Sequence, residues 1–243
     1  MSKKNYTHIA VVMDRSGSMS NIAQDMEGGV RSLIDAQKLI EGNATITLAR
    51  FDTSYDVVYD FVDIKDATDF RLEPRGSTAL LDAMGMTLES VRNHIVQMDA
   101  AERPEKVMFI FITDGGENAS HEFTRARVLE MISDLTNADE QGLSQEDENG
   151  ITWDFRFLGA NQDAIAEGGG YGIRASASLN YCATSDGSAT MFDSLTRSIS
   201  DYRTKGVKAA NFTEEDRKAQ EAPANPTIRP IPSGSGYGKL TIP

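Results

Sequence analysis

The sequence predicts an α/β protein built on an open, mostly parallel, doubly wound sheet, with helices on both faces and one antiparallel edge strand. Three observations predict it. Short apolar runs alternate along the chain with stretches whose apolar residues recur at helical spacing. Two of the runs, residues 9–13 and 107–112, are apolar at every position, the pattern of strands buried on both faces. One further pair of strand-like runs is separated only by Asp52-Thr53-Ser54, which leaves room for an antiparallel hairpin and none for a helical crossover.

The elements follow in order. The run at 9–13 is the first strand, closed by Asp14. Residues 22–40 carry Val30, Leu33, Ile34 and Leu39 at helical spacing and stop at Glu41-Gly42-Asn43. Residues 44–51 and 55–64 are the hairpin strands. From Ala79, the series Leu80, Leu81, Met84, Leu88, Val91 and Ile95 marks a second amphipathic helix. The strand at 107–112 leads through Thr113-Asp114-Gly115 to a third helix near 124–135, with Val128, Leu129 and Ile132 facing inward. An acidic stretch at 138–150 reads as a surface loop. Residues 151–158 form a strand in which Trp153, Phe155 and Phe157 share one face and serve as core. A short helix at 162–167, a short strand at 176–182 and a final helix at 189–202 complete the domain, which is expected to span residues 1–204. Residues 205–243 turn charged and then rich in Pro, Gly and Ser, and are expected to be a flexible tail.

Composition narrows the function. Lys+Arg 24 against Asp+Glu 37 gives a net charge of -13, which argues against a nucleic-acid partner and suits a collector of divalent cations. Cys182 is the single cysteine, so no intramolecular disulfide can form. No apolar run reaches membrane-spanning length, and the first residues are polar. The expected location is the cytoplasm, with no membrane partner.

The residues that carry chemistry sit where strands end. Asp14-Arg15-Ser16-Gly17-Ser18-Met19 places a carboxylate and two hydroxyls on one strand-to-helix loop, a set of hard oxygen donors. Taken alone, this spacing also describes a polar helix cap. Two downstream segments add oxygens in complementary places: Gly76-Ser77-Thr78-Ala79-Leu80-Leu81-Asp82 before a helix, and Phe111-Ile112-Thr113-Asp114-Gly115 after a strand. Ligands of such sheets gather at the carboxyl ends of the strands, where Asp14, Asp114 and Asn161 all fall.

Together these segments resemble a von Willebrand factor type A (vWA) domain, in order and in neighbouring structure, over roughly residues 5–204. The Asp-x-Ser-Gly-Ser-Met form is closest to the intracellular and prokaryotic branch. The resemblance implies a Rossmann-like fold and a metal-ion-dependent adhesion site. It would hold Mg²⁺ or Mn²⁺ through Asp14, Ser16, Ser18, Thr78 and Asp114, with the three hydroxyls as direct ligands and the carboxylates direct or through water. A cation held largely by neutral hydroxyls stays electrophilic, so the implied partner is a protein supplying a Glu or Asp carboxylate. The tail, through Glu214, Glu215 or Asp216, is a candidate source of that carboxylate in self-association.

No catalytic residue is predicted, and the chain is read as not an enzyme. His8, His94 and His121 have neither metal-ligand nor triad spacing and read as surface or edge residues. The opening loop lacks the second carboxylate of an Asp-x-Asp phosphotransferase, and no Gly-x-Ser-x-Gly elbow is present. The glycine runs at 168–172 and 234–239 miss the phosphate-loop spacing. Two alternatives stay open: an accessory subunit of an ATPase-driven, chelatase-like machine, and a metal-dependent hydrolase using the same oxygens.

Overall fold

The computed structural model describes residues 2–139 and 142–221. Six strands form one sheet: β1 (Lys3–Asp14), β2 (Asn43–Phe51), β3 (Tyr55–Asp63), β4 (Pro104–Thr113), β5 (Thr152–Gly159) and β6 (Ser178–Asn180). Their spatial order is β3-β2-β1-β4-β5-β6. Every neighbouring pair is parallel except β2 and β3, the hairpin at one edge. The helices are α1 (Ala23–Lys38), α2 (Leu80–Gln97), α3 (Arg125–Thr136), α4 (Ala164–Gly170), α5 (Ser185–Lys205) and α6 (Glu214–Glu221). The predicted architecture is the observed one.

Alternation along β1 shows why two layers of helix are needed. Ile9, Val11 and Met13 face α1 and α5, while Ala10 and Val12 face α2 and α3. In β4, Met108, Ile110 and Ile112 join the first core, and Val107, Phe109 and Phe111 the second. Burying each of these large side chains contributes ~1.5–3 kcal/mol, so neither face can be left to water. Gly29 of α1 lets the Phe192 ring of α5 come so close that a Cβ there would lie 2.0 Å from it.

Three expectations change, the first being that Leu129 of α3 is exposed while Val128 and Ile132 alone of the three face inward. His8 is fully buried rather than superficial, and Phe61 is stacked between His8 and His94, with ring centroids 3.7 Å apart on either side. The packed chain also runs past residue 204. After α5 a 3-10 turn at Val207–Ala210 leads into α6, and Ala210 and Phe212 enter the core beside α5. Thr213 and Asp216 cap α6 reciprocally: Asp216 Oδ2 accepts the Thr213 N–H (2.6 Å), and Thr213 Oγ1 accepts the Asp216 N–H (3.2 Å). Arg217 then donates to Ser178 O on β6 (2.9 Å). These are local caps and long-range contacts, which a composition average over 205–243 does not register. The Pro, Gly and Ser-rich remainder, residues 222–243, lies outside the described residues.

Candidate metal centre

Asp14 ends β1 at the centre of the sheet, and the chain leaves it through a short loop and a 3-10 turn, Gly17–Asn21, into α1. Asp14 Oδ1 accepts the Ser16 N–H (2.6 Å), which folds the loop back over the strand end. Ser16 Oγ lies 3.0 Å from Ser18 Oγ, and Ser18 Oγ donates to Asp114 Oδ1 (2.6 Å). Asp14 Oδ2 accepts from Thr113 Oγ1 (2.6 Å), the last residue of β4. Four of the five predicted ligands, Asp14, Ser16, Ser18 and Asp114, therefore belong to one hydrogen-bonded group across the ends of two adjacent strands.

Thr78, the fifth, arrives from the loop before α2. It is buried, and a Cβ built on Gly115 would lie 3.9 Å from its Oγ1, which puts the hydroxyl beside the Asp114 segment. No hydrogen bond joins that hydroxyl to the other four among the described residues. The loop is held by its backbone. Gly17 N donates to Gly76 O (3.2 Å) and Arg75 N to Arg15 O (2.8 Å), with Gly76 at φ +66, a conformation that suits glycine. Asn118 brackets Thr78, its side chain accepting the Thr78 N–H (3.0 Å) and its N–H donating to Thr78 O (3.0 Å). Two acids clasp the 114–123 loop to the start of α2. Glu117 accepts from Leu81 N (2.9 Å), and Asp82 accepts from the N–H groups of His121, Glu122 and Phe123, each at 2.8 Å.

The electrostatics are those of two acids lacking a counter-charge. Burial pushes Asp14 up to about 6; hydrogen bonds from Thr113 and Ser16 oppose the shift, and the Asp114 charge adds to it. Asp114 is raised by burial too, against the Ser18 hydrogen bond. Neither forms an ion pair among the described residues. The nearest guanidinium in sequence, Arg15, is buried but turned away: its Nε lies 2.9 Å from Asp52 Oδ2, and its Nη1 lies 2.8 Å from Asp56 Oδ2. Arg75 and Arg50 close that neighbouring network. Burial alone would raise Asp52 and Asp56, but hydrogen bonds from Arg75, Arg50 and Arg15 hold both below the usual carboxylate range.

A divalent cation fits this arrangement. The donors are carboxylates and hydroxyls, hard oxygens suited to Mg²⁺ or Mn²⁺, and a positive charge would relieve the two buried acids. Among the described residues no cluster of three or more His, Cys, Asp or Glu side chains could hold a metal, so hydroxyls are indispensable to any such site. Sequence reasoning missed Thr113, Asn118 and the turned-away Arg15. Thr113 left a faint signal, as a hydroxyl ending an otherwise apolar strand.

No protein-family model matches the sequence, and no curated protein does. Solved structures do match. Proximal thread matrix protein 1 from the mussel byssus aligns at TM-score 0.52 and 16% identity, over 79% of this chain and 45% of that one. The D319A mutant of the PilB minor pilin from Streptococcus sanguinis aligns at TM-score 0.53 and 13% identity, over 81% and 62%. The pilus adhesin SpaC from Lactobacillus rhamnosus GG, in its open conformation, gives TM-score 0.55 and 14% identity, over 80% and 30%. The shared fold is that of a vWA domain. At these identities the likeness is one of fold, and this chain spans only 30% to 62% of those chains. A further structure of the mussel protein, described as having a zinc-occupied MIDAS motif, aligns at TM-score 0.50 and 16% identity, over 79% and 45%. Among the described residues, no helix of this vWA fold is long and apolar enough to cross a membrane.

Proposed function

We propose that this chain is a divalent-cation-dependent protein-binding module and not an enzyme. The carrying observation is the buried group Asp14–Ser16–Ser18–Asp114, which gathers oxygen donors and two raised carboxyls with no basic partner. The zinc-occupied site of the mussel protein supports a cation in this fold. Ser16, Ser18 and Thr78 would hold Mg²⁺ or Mn²⁺ by their hydroxyls, and Asp14 and Asp114 would fix it by charge. The bound ion supplies a Lewis acid able to take one carboxylate from another protein.

The chain's own residues orient that ion. Thr113 and the Ser16 N–H occupy both Asp14 oxygens, so Asp14 balances charge more readily than it binds at close range. Asn118, Glu117 and Asp82 hold the Thr78 loop at the rim, where a shift of that loop would change the ligand set. His8 and His94 are engaged with Phe61 of the hairpin, one on each face of its ring. The partner is a protein presenting an exposed Glu or Asp. Self-association through Asp216 is disfavoured, since that carboxylate caps α6 and pairs with Arg197, while Glu214 and Glu215 stand exposed. The lone cysteine and the loop sequence support a cytoplasmic setting and the intracellular branch.

A pull-down from native lysate tests the reading, with Mg²⁺ against EDTA and wild type against Thr78→Ala. A partner retained only by wild type in Mg²⁺ is expected. The same partner retained in EDTA and by the variant would overturn it.

A further inference from the structure

Tyr181 directly follows β6, at the same carboxyl end of the sheet as Asp14 and Asp114. Its N–H donates to Gly159 O at the end of β5 (3.0 Å), and Ala160 N donates to Thr113 O at the end of β4 (3.0 Å). Thr113 Oγ1 in turn donates to Asp14 Oδ2 (2.6 Å). A continuous path of short contacts therefore links Tyr181 to the centre of the site across three strand ends.

The side chain is 4% exposed and belongs to the core cluster that contains Met19 and Ile22 of the site loop. Its hydroxyl has no hydrogen-bond partner among the described residues. Buried hydroxyls are almost always bonded, because an unpaired one has given up its water for nothing. The other deeply buried tyrosine in this core obeys the rule: the Tyr202 hydroxyl reaches Thr152 O (2.8 Å) and Val107 O (3.2 Å). A phenylalanine would fill the Tyr181 position with no unsatisfied group. Burial raises the phenol well above its usual range, and the charges of Asp114 and Asp14 push it the same way.

We propose that Tyr181 is a positioning residue of the cation centre, its hydroxyl completing its hydrogen bonding on the water shell of the ion held by Asp14 and Asp114. This rests on the cation reading above and adds a residue outside the five ligands. A small hard dication keeps several waters, and a bound water is a strong donor that a neutral phenol oxygen can accept from. Partners of this kind orient a metal's ligands without touching the metal.

The test uses the full chain, stripped with EDTA, as wild type and Tyr181→Phe. Calorimetric titration with Mn²⁺ gives the affinity, and a thermal scan of the metal-free forms reads the structural effect. Wild type should bind, and Tyr181→Phe should bind about 10–100-fold more weakly, with its metal-free unfolding midpoint equal or higher. Equal affinity in the two proteins overturns the proposal and leaves the cation site standing. If wild type binds no cation, both readings fail together. Should Tyr181→Phe not fold, 3-fluorotyrosine placed at position 181 answers the same question: its ¹⁹F resonance should shift when Mn²⁺'s diamagnetic counterpart Mg²⁺ is added at saturation, and an unmoved resonance overturns the proposal.

Discussion

Asp14 and Asp154 are both buried carboxylates on strands of one sheet, and they keep opposite company. Asp154 pairs with Arg156 (2.7 Å) and Arg174 (2.8 Å), and Arg156 is itself fully buried and bonded to Ser198 and Ala210 O. In that cluster the carboxylate faces two guanidiniums, and it ties β5 to α5 and to the turn leading into α6. Asp14 meets hydroxyls, a backbone N–H and a second acid. A buried charge is tolerated when it is paired, so the first cluster reads as structural and the second as the one that the proposed cation would complete. The same distinction separates Asp14 from its neighbour Arg15, whose charge is spent on Asp52 and Asp56.

The sharpest way to break this comparison is to remove one acid from each side. Asp154→Ala leaves Arg156 buried without its counter-charge and should cost about 3–5 kcal/mol in urea unfolding, equally with and without Mg²⁺. A loss that cation restores would erase the distinction between the two clusters. Asp14→Asn keeps the size and one of the two acceptors, leaves the Thr113 hydroxyl free to donate to Gly115 O, and removes the charge. Its metal-free stability should stay within ~1 kcal/mol of wild type, while the rise in thermal midpoint that Mn²⁺ gives wild type should vanish.

Acidity sharpens the contrast further. In the metal-free protein Asp14 titrates at about 6 against 3.8 for the free side chain, so its contribution to stability is lost as pH rises from about 4 to 6. His8, buried and beside His94, is lowered from 6.5 to about 3. Its contribution is present above pH 6.5 and is lost as pH falls towards 3. The two slopes oppose each other between pH 4 and 6, and Asp14→Asn removes one of them. Urea midpoints of the metal-free variant should therefore climb more steeply with pH across that window than those of wild type. Parallel profiles would mean that Asp14 is not perturbed.

The smallest expected effect lies at the rim. Asp82→Ala removes the acceptor for three backbone N–H groups at 121–123 and loosens the loop that faces Thr78. Amide exchange at those positions should accelerate, and cation affinity should fall by less than about 10-fold. Unchanged exchange would show that Glu117 and Asn118 hold the loop by themselves.

How much of this was legible in the sequence follows from distance along the chain. Asp14, Ser16 and Ser18 lie within one loop, so their chemistry is visible in a single glance at the letters. The alternation of apolar runs and helical stripes fixes the layers, because each strand and helix signals its own burial locally. Thr78 and Asp114 became candidates through the resemblance and through their strand-end and loop positions. Thr113 bonds Asp14 from 99 residues away, with only its hydroxyl at the end of an apolar run to mark it, and Tyr181 lies further still along the chain with nothing local to set it apart from an ordinary core residue. Arg15 sits in the most conspicuous loop of the chain, yet only the fold shows that it turns to the hairpin. Residues 205–221 looked like tail because two buried residues, Ala210 and Phe212, anchor a segment that is otherwise charged.

The most direct measurement of the central claim is a calorimetric titration of Mg²⁺ into the EDTA-stripped full chain, run at pH 6 in two buffers of different ionisation enthalpy, beside Ser18→Ala. The account predicts one saturable site, proton release as Asp14 gives up its hydrogen, and clearly weaker binding in the variant. No saturable heat in wild type, or equal affinity without the Ser18 hydroxyl, would contradict it.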